Sequence, residues 1–254
     1  MLKLTKYELR KNILGIGIVA GIICALQALF MFFCLSKKMN YTITFAVLLV
    51  LAASVSYFIV FIFGVVTYSK ELSSKSSYLI FMTPNSSLSI IVSKLLYTLI
   101  IGVGISAIIV GLGALDIFMM GTTFTDYADM LKMYKALFEE FGINFGQILL
   151  SFIGTVLSFL VSFFFLITLA YFAITLSSTA LQNKKIKGFI SIVLFCLLAY
   201  ATIKIASLLP EIYSNPETLA QEVLTALPAN VFQLLVAVGC TFGSAVLLDK
   251  KVSL

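Results

Sequence analysis

Long runs of apolar residues, separated by short polar segments, dominate the chain. Six runs of 20 or more residues are bounded by charges, prolines or polar clusters: 13–35, 43–66, 88–115, 147–176, 188–209 and 229–248. A helix needs about 20 apolar residues to cross a hydrocarbon core roughly 30 Å thick, and every run reaches that length. None of the runs alternates apolar and polar residues, as the strands of a membrane barrel do. The pattern predicts an all-α integral membrane protein with six transmembrane helices in a single domain over 1–254.

The flanks of these runs support the assignment. All four prolines, Pro84, Pro210, Pro216 and Pro228, fall outside the six runs, as the continuity of helices in lipid favours. The first run is a span and not a cleaved signal peptide. Its 23 residues exceed the 7–15 or so of a signal core, and no A-x-A site follows it.

Composition agrees with a chain that lies mostly in lipid. Hydrophobic residues make up 61% of the 254 and charged residues 11%, and the mean hydropathy is +1.12, whereas a soluble domain carries about 25% charged residues. Histidine is absent, which removes the commonest general base and metal ligand. Four cysteines lie in apolar runs without paired spacing, which favours small apolar packing residues over a disulfide or metal site: Cys24, Cys34, Cys196 and Cys240.

The distribution of basic residues predicts the orientation. With the N-terminus inside, twelve basic residues fall on the cytoplasmic side: Lys3, Lys6, Arg10, Lys11, Lys70, Lys75, Lys94, Lys184, Lys185, Lys187, Lys250 and Lys251. Four fall on the outer side: Lys37, Lys38, Lys132 and Lys135. Positive charge accumulates in cytoplasmic loops, so both termini are expected in the cytoplasm. Only one of the 17 basic residues is Arg, a bias typical of AT-rich bacterial genomes.

Three polar segments carry helical patterns of their own. Residues 2–12 place leucines on one face and basic residues on another, which fits an amphipathic helix on the inner leaflet or an ordinary basic flank. In 68–87, Glu71 and Lys75 form an i,i+4 pair, the apolar residues recur at helical spacing, and Thr83-Pro84 ends the helix. Ser86 or Ser87 is then expected to cap the third span.

The outer segments are also patterned. An apolar stripe in 121–146 predicts an amphipathic helix over 126–141 at the outer surface, with Asp126 as its N-cap and Gly142 as its C-cap. This helix is either part of an outer gate or a cover for the bundle. Residues 210–228 contain no base, and helical spacing of leucines from Leu219 onward favours a segment that dips back towards the membrane.

Few polar side chains are expected at membrane depth. Lys204 is the only full charge well inside a run, and snorkelling to the outer interface explains it better than substrate contact. Gln27 in span one is expected to hydrogen-bond across helices. Candidate residues for a translocation path or outer gate are Gln27, Lys204, Tyr127 and Tyr134.

Several kinds of chemistry are absent from the sequence. There is no Gly-x-x-x-x-Gly-Lys-Ser/Thr phosphate loop, so the chain does not itself bind ATP in the usual way. The acidic residues lie at span ends and in loops, without the buried carboxylates expected of ion-coupled transport. The chain is therefore expected to have no catalytic or metal site and to be no enzyme by itself.

The segment between spans two and three is similar to a known family. Tyr68-Ser-Lys-Glu-Leu, Tyr78-Leu, Met82-Thr-Pro and Lys94-Leu-Leu resemble the coupling-helix region of type-2 ABC transporter permeases. The layout of a basic helix, six spans and a helical outer segment before span six is also similar. The helix over 126–141 departs from the shortest members.

The resemblance implies the membrane subunit of a bacterial ABC exporter, placed in the inner (cytoplasmic) membrane. Two permease copies, identical or closely paralogous, would pack with two cytoplasmic ATPase subunits, which carry ATP and Mg. The exported substrate would be an amphipathic or hydrophobic peptide, toxin or antibiotic, and no nucleic acid is expected as a partner. The residues implied to dock on the ATPase are Lys70, Glu71, Leu72, Lys75, Tyr78, Leu79, Met82, Thr83 and Pro84.

Two other classes of function remain open at this point. An ATP-independent transporter or channel would move substrate without nucleotide. A scaffold or sensor in resistance to antibiotic peptides would bind ATPase or kinase partners without transport.

Overall fold

The computed structural model describes most of the chain. The described residues are 2–73, 86–124, 132, 145–180, 186–210, 212–213 and 219–252. All regular secondary structure in them is helical. The helices are α1 (Leu2–Lys11), α2 (Ile13–Leu35), α3 (Met39–Ser73), α4 (Ser87–Phe124), α5 (Phe145–Ala180), α6 (Lys187–Ala206) and α7 (Leu219–Val252).

Helices α2 to α7 are the six that are long and apolar enough to cross a membrane. This confirms six apolar helices at the predicted positions that could cross a membrane, and an all-helical structure for the described residues. The placement of both termini in the cytoplasm and the single-domain assignment stay predictions.

The helices differ from the apolar runs mainly in length. Helix α2 ends where predicted, but α3 has 35 residues and α4 has 38. At 1.5 Å per residue, α3 and α4 extend over about 52 and 57 Å, well beyond a hydrocarbon core of roughly 30 Å. Counting apolar residues finds the part of a helix that lipid requires. It does not locate the ends of the helices, which lie at Ser73 in α3 and at Phe124 in α4.

The prediction that every proline lies outside the spans is wrong for Pro228. Helix α7 begins at Leu219, ten residues before the predicted start of span six, and Pro228 lies inside it. Proline removes one backbone hydrogen bond, yet membrane helices tolerate it where neighbouring groups compensate. The early turns of α7 pack on α5, since a Cβ at Gly154 would collide with the side chain of Val223. That tertiary contact favours the longer helix, and it agrees with the helical spacing expected after Leu219.

The chain divides into two compact units. The first takes in the described residues of 1–7, 61–99 and 146–254, and the second those of 8–60 and 100–145. In the first unit the core lies around the second half of α5, where Ile167, Leu169 and Ala173 are buried. In the second unit the core includes one stripe of α2, formed by Val19, Ile23, Gln27, Phe30 and Cys34.

Large apolar side chains cover much of the remaining surface. Leu14, Phe189 and Leu235 are each about 70% exposed, and no residue of α6 is buried. Exposure on this scale would be costly in water, whereas lipid makes it favourable.

Helix α1 begins the chain, as predicted. Its Thr5 is buried and donates a hydrogen bond to the carbonyl oxygen of Ser93 in α4 (3.3 Å), while Lys6 and Arg10 are exposed. A position along the inner leaflet stays a prediction. The expected outer helix over 126–141, with its two caps, lies outside the described residues.

Candidate functional site

Side chains of α3, α4 and α5 form a buried group in the first unit, which we call the polar cluster. Its members are Tyr68, Glu71, Lys94, Tyr171 and Thr175. It lies at the ends of α3 and α4 that flank residues 74–85, the segment where the sequence predicts most of the coupling helix.

An ion pair is the central contact of the polar cluster. Lys94 Nζ lies 2.5 Å from Glu71 Oε2, and the two side chains are only 5% and 19% exposed. Glu71 is in the last turn of α3, where the helix dipole disfavours a negative charge. The opposite charge of Lys94 compensates for that position. The pair therefore ties the C-terminal end of α3 to the N-terminal part of α4.

Two stacked tyrosines continue the polar cluster. The rings of Tyr68 and Tyr171 stack with centroids 4.1 Å apart and an interplanar angle of 13°. The Tyr68 and Thr175 hydroxyls form a hydrogen bond of 2.7 Å, and the Tyr171 hydroxyl donates to the carbonyl oxygen of Gly64 (3.2 Å). These contacts satisfy hydroxyl groups that would be costly if buried alone.

The absence of a side chain at Gly64 makes this packing possible. A Cβ at Gly64 would collide with the methyl group of Thr98 on α4 and would lie 3.7 Å from the Tyr171 hydroxyl. Small residues allow membrane helices to approach each other closely. Gly64 thus sets how near α3 comes to α4 and α5.

The first turn of α4 is held by further polar contacts. The Ser86 hydroxyl accepts a hydrogen bond from the backbone N–H of Ser89 (3.3 Å), so Ser86 is the predicted N-cap. The Ser87 hydroxyl donates to the carboxylate of Asp249 in α7. With Thr5 bound to the Ser93 carbonyl, α1 and α7 both attach to the start of α4. The helix that leaves segment 74–85 is therefore fixed from several sides.

A small cavity adjoins the ion pair. Its volume is about 10 Å³, and it is lined by Tyr68, Glu71, Leu72, Ile90, Ile91, Lys94 and Leu248. That volume is close to the minimum that holds one water molecule. The polar cluster is thus closely packed and offers no room for a substrate.

A second polar contact lies in the other unit, and we call it the amide–carboxylate site. Gln27 Nε2 in α2 donates a hydrogen bond to Asp116 Oδ1 in α4. Gln27 is 6% exposed, and its Oε1 is fully buried with no hydrogen-bond partner among the described residues. The expected hydrogen bond from Gln27 to another helix is therefore confirmed.

Asp116 corrects the expectation that acidic residues lie only at span ends and in loops. The apolar run ended at residue 115 because Asp116 interrupts it, but α4 continues for eight residues to Phe124. A carboxylate is therefore present within one of the six apolar helices.

The amide–carboxylate site belongs to a longer contact between α2 and α4. Cys34 Sγ lies 3.7 Å from Thr123 Oγ1, seven residues beyond Gln27 and Asp116 in both helices. The equal spacing shows that α2 and α4 run parallel along this contact, as alternate spans of a chain with short connections do.

Lys204 belongs to neither site. Its side chain is exposed in the last turn of α6, with Nζ 5.9 Å from the ring centroid of Tyr200. An exposed amine near a helix end fits snorkelling. Nearby, a cleft of about 330 Å³ between the end of α6 and the start of α7 is lined by Pro210, Glu222 and Thr225 among others.

The predicted docking residues are only partly described. Lys70, Glu71 and Leu72 are in the last turns of α3, where Leu72 lines the small cavity and Glu71 binds Lys94. Outside the described residues lie Lys75, Tyr78, Leu79, Met82, Thr83 and Pro84, and also the path candidates Tyr127 and Tyr134. Their roles stay predictions, as do the path roles of Gln27 and Lys204.

A scan against protein-family models finds no match, and comparisons with curated proteins and with solved structures find none either. The chain's own residues therefore carry the functional argument.

Proposed function

We propose that the chain is the membrane subunit of an ATP-driven exporter of the type-2 ABC class in a bacterial cytoplasmic membrane. Two copies would form a path for an amphipathic or hydrophobic substrate, and two separate ATPase subunits would supply the energy. Six apolar helices and the lack of a phosphate loop in the sequence support a permease that depends on a partner for ATP.

The observation that carries the proposal is the buried ion pair between Glu71 and Lys94. A segment that transmits force must be attached rigidly to the helices that it moves. Residues 74–85 connect two helices whose ends are held together by that pair, by Gly64 packing and by the contacts of Ser87. A push on 74–85 would therefore be passed to α3 and α4 together.

The ion pair also indicates that the predicted docking residues have two different roles. Glu71 points to Lys94 of its own chain, so we assign it to anchoring the segment. We assign docking on the ATPase to the middle of the segment, at Tyr78, Leu79 and Met82. The N-terminal helix, held to the start of α4 by Thr5, would steady the same region from the membrane surface.

Co-purification tests this proposal. The full chain is co-expressed with the ABC ATPase encoded beside it, and the complex is isolated through a tag on the chain. We expect stoichiometric ATPase with the wild type, loss of it in Leu79→Asp, and retention in the matched control Leu208→Asp, which alters an exposed leucine beyond the end of α6. Absence of ATPase from the wild-type preparation would overturn the proposal.

A second candidate is an ATP-independent transporter, which Asp116 within α4 favours because membrane carboxylates often mark ion or proton pathways. Transport by the purified chain in liposomes without nucleotide would support it. A strict requirement for the ATPase and ATP would exclude it.

A further inference from the structure

The amide–carboxylate site lies within the candidate membrane span formed by α2. Helix α2 has 23 residues and is therefore about 34 Å long, just enough to cross the hydrocarbon core. Gln27 is eight residues, or about 12 Å, from the end of α2 at Leu35. Because Gln27 binds Asp116 directly, the carboxylate lies at this depth too.

The site has hydrogen-bond acceptors that the described residues do not fill. One carboxylate oxygen of Asp116 receives the Gln27 amide N–H, and no basic side chain among the described residues contacts Asp116. Gln27 Oε1 is on the same amide as that N–H, so it lies beside the carboxylate, buried and without a donor. A buried acceptor left without a donor is costly, and more so in lipid.

The unfilled acceptors select for a particular kind of ligand. A protonated primary amine has three N–H donors and one positive charge, which match two carboxylate oxygens and one amide oxygen. Calcium would need six to eight oxygen ligands and magnesium six, more than Asp116 and Gln27 supply.

The surroundings of Asp116 suit an apolar tail on that amine. Leu115 and Ile117, one residue before and one after Asp116 in α4, are 49% and 60% exposed, so apolar surface is open on both sides of it. An alkyl or aromatic group lying against these side chains would stay in lipid while its amine reached the carboxylate. Neutralisation by the amine would also remove the cost of a lone charge at this depth.

We propose that Asp116 and Gln27 bind the protonated amine of an amphipathic molecule within the bilayer. The identification of this molecule as the transported substrate rests on the proposed exporter function. Binding itself does not, because it needs only this chain. The site therefore narrows the substrate class from amphipathic compounds in general to amphipathic primary amines.

The test is equilibrium binding to the purified full chain in detergent micelles, followed by fluorescence anisotropy. The probe is dodecylamine with a dansyl group at the far end of its chain, and the neutral control is the matching dodecanol. We expect the amine to bind the wild type at least about tenfold more tightly than the alcohol. Equal binding of the two probes would overturn the proposal.

Variants locate the preference at the site. Asp116→Asn should reduce the ratio of the alcohol and amine dissociation constants to about one. Gln27→Ala should weaken amine binding about threefold. The exposed-acid control Glu222→Gln should leave the ratio unchanged. A preference retained in Asp116→Asn would place binding elsewhere. If Asp116→Asn does not give a monodisperse protein, the amine preference of the wild type and the weaker amine binding of Gln27→Ala still test the proposal.

Three further arms separate the alternatives. A trimethylammonium probe carries the charge without N–H donors, so binding as tight as the primary amine would overturn the hydrogen-bond assignment. Selective displacement by sodium over choline at equal ionic strength would make this a metal-ion site and would also overturn the proposal. Displacement by phosphatidylethanolamine but not phosphatidylcholine would assign the site to a lipid amine and overturn the substrate assignment.

The exporter and the amine site can fail separately. A wild type that shows the amine preference but does not co-purify with the ATPase keeps this inference and loses the exporter. If the chain co-purifies with the ATPase but shows no amine preference, the exporter proposal stands and this inference is lost.

Discussion

The two buried polar sites differ in how their charges are satisfied. In the polar cluster, Glu71 meets a cation, Lys94, and the tyrosine hydroxyls have partners. In the amide–carboxylate site, the one partner of Asp116 among the described residues is a neutral amide, Gln27, whose own oxygen has no donor there. The first site is complete without a ligand, whereas the second is completed by a cationic donor.

This difference gives the polar cluster a structural role and the amide–carboxylate site a binding role. Removing one member of a buried ion pair destabilises the native state, because the other charge stays buried without its ion-pair partner. Asp116 is only partly buried, but a carboxylate within an apolar helix still costs stability, and a membrane protein retains such a group where it serves a function. We therefore expect opposite consequences from neutralising the two carboxylates.

The largest effect is expected at the ion pair. Glu71→Gln leaves the Lys94 charge buried and should lower the free energy of unfolding by about 3–5 kcal/mol. Denaturation in mixed micelles measures it, with Glu222→Gln as the exposed-acid control. The exchanged pair Glu71→Lys with Lys94→Glu should recover at least half of the loss. No recovery would mean that the loss does not come from the pair.

A somewhat smaller loss is expected from the helix packing beside the pair. Gly64→Val forces a side chain into Thr98 and should cost about 1–3 kcal/mol. The matched variant Gly111→Val adds the same group where nothing lies within 4 Å, and it should cost much less. Equal losses in the same denaturation assay would show that α3 does not depend on close approach at Gly64.

The hydroxyl of Tyr68 should contribute less again. Tyr68→Phe keeps the stacked ring but removes the hydrogen bond with Thr175, for a loss of about 0.6–1 kcal/mol. Tyr200→Phe, at an exposed position, is the control and should change little. A loss of several kcal/mol in Tyr68→Phe would contradict this ranking and assign the hydroxyl a larger share of the cluster.

The smallest effect on stability is expected at Asp116. Asp116→Asn removes the charge but keeps Oδ1 as an acceptor for Gln27, so unfolding should change by less than about 0.5 kcal/mol or shift towards greater stability. A loss as large as that of Glu71→Gln would remove the distinction between the two sites.

Prediction from sequence succeeded where lipid imposes the pattern. The limits of α2 were predicted from the apolar run between Asn12 and Ser36, because no charged residue interrupts that run. The end of α3 was missed because its last turns, through Ser73, are polar, and the end of α4 was missed because Asp116 interrupts the apolar run. Pro228 was read as a boundary, yet packing of Val223 on Gly154 favours a helix that includes it.

The two sites were only partly foreseen for a related reason. Local spacing pairs Glu71 with Lys75, which lies outside the described residues, and it could not reveal the pair with Lys94, 23 residues further along the chain. Asp116 was treated as the end of a span because it interrupts an apolar run. The contact with Gln27 shows that this residue lies beside the middle part of the apolar helix α2. Gln27 itself was recognised from its isolation in an apolar helix.

The central claim is that Glu71 supports the fold while Asp116 binds an amine, and one measurement addresses both. Unfolding is measured with and without dodecylamine at about 100 times its dissociation constant, which should stabilise the wild type by about 2.7 kcal/mol. We predict that Glu71→Gln is less stable but gains the same increment, and that Asp116→Asn keeps its stability and gains none. An increment lost in Glu71→Gln, or kept in Asp116→Asn, would contradict the claim.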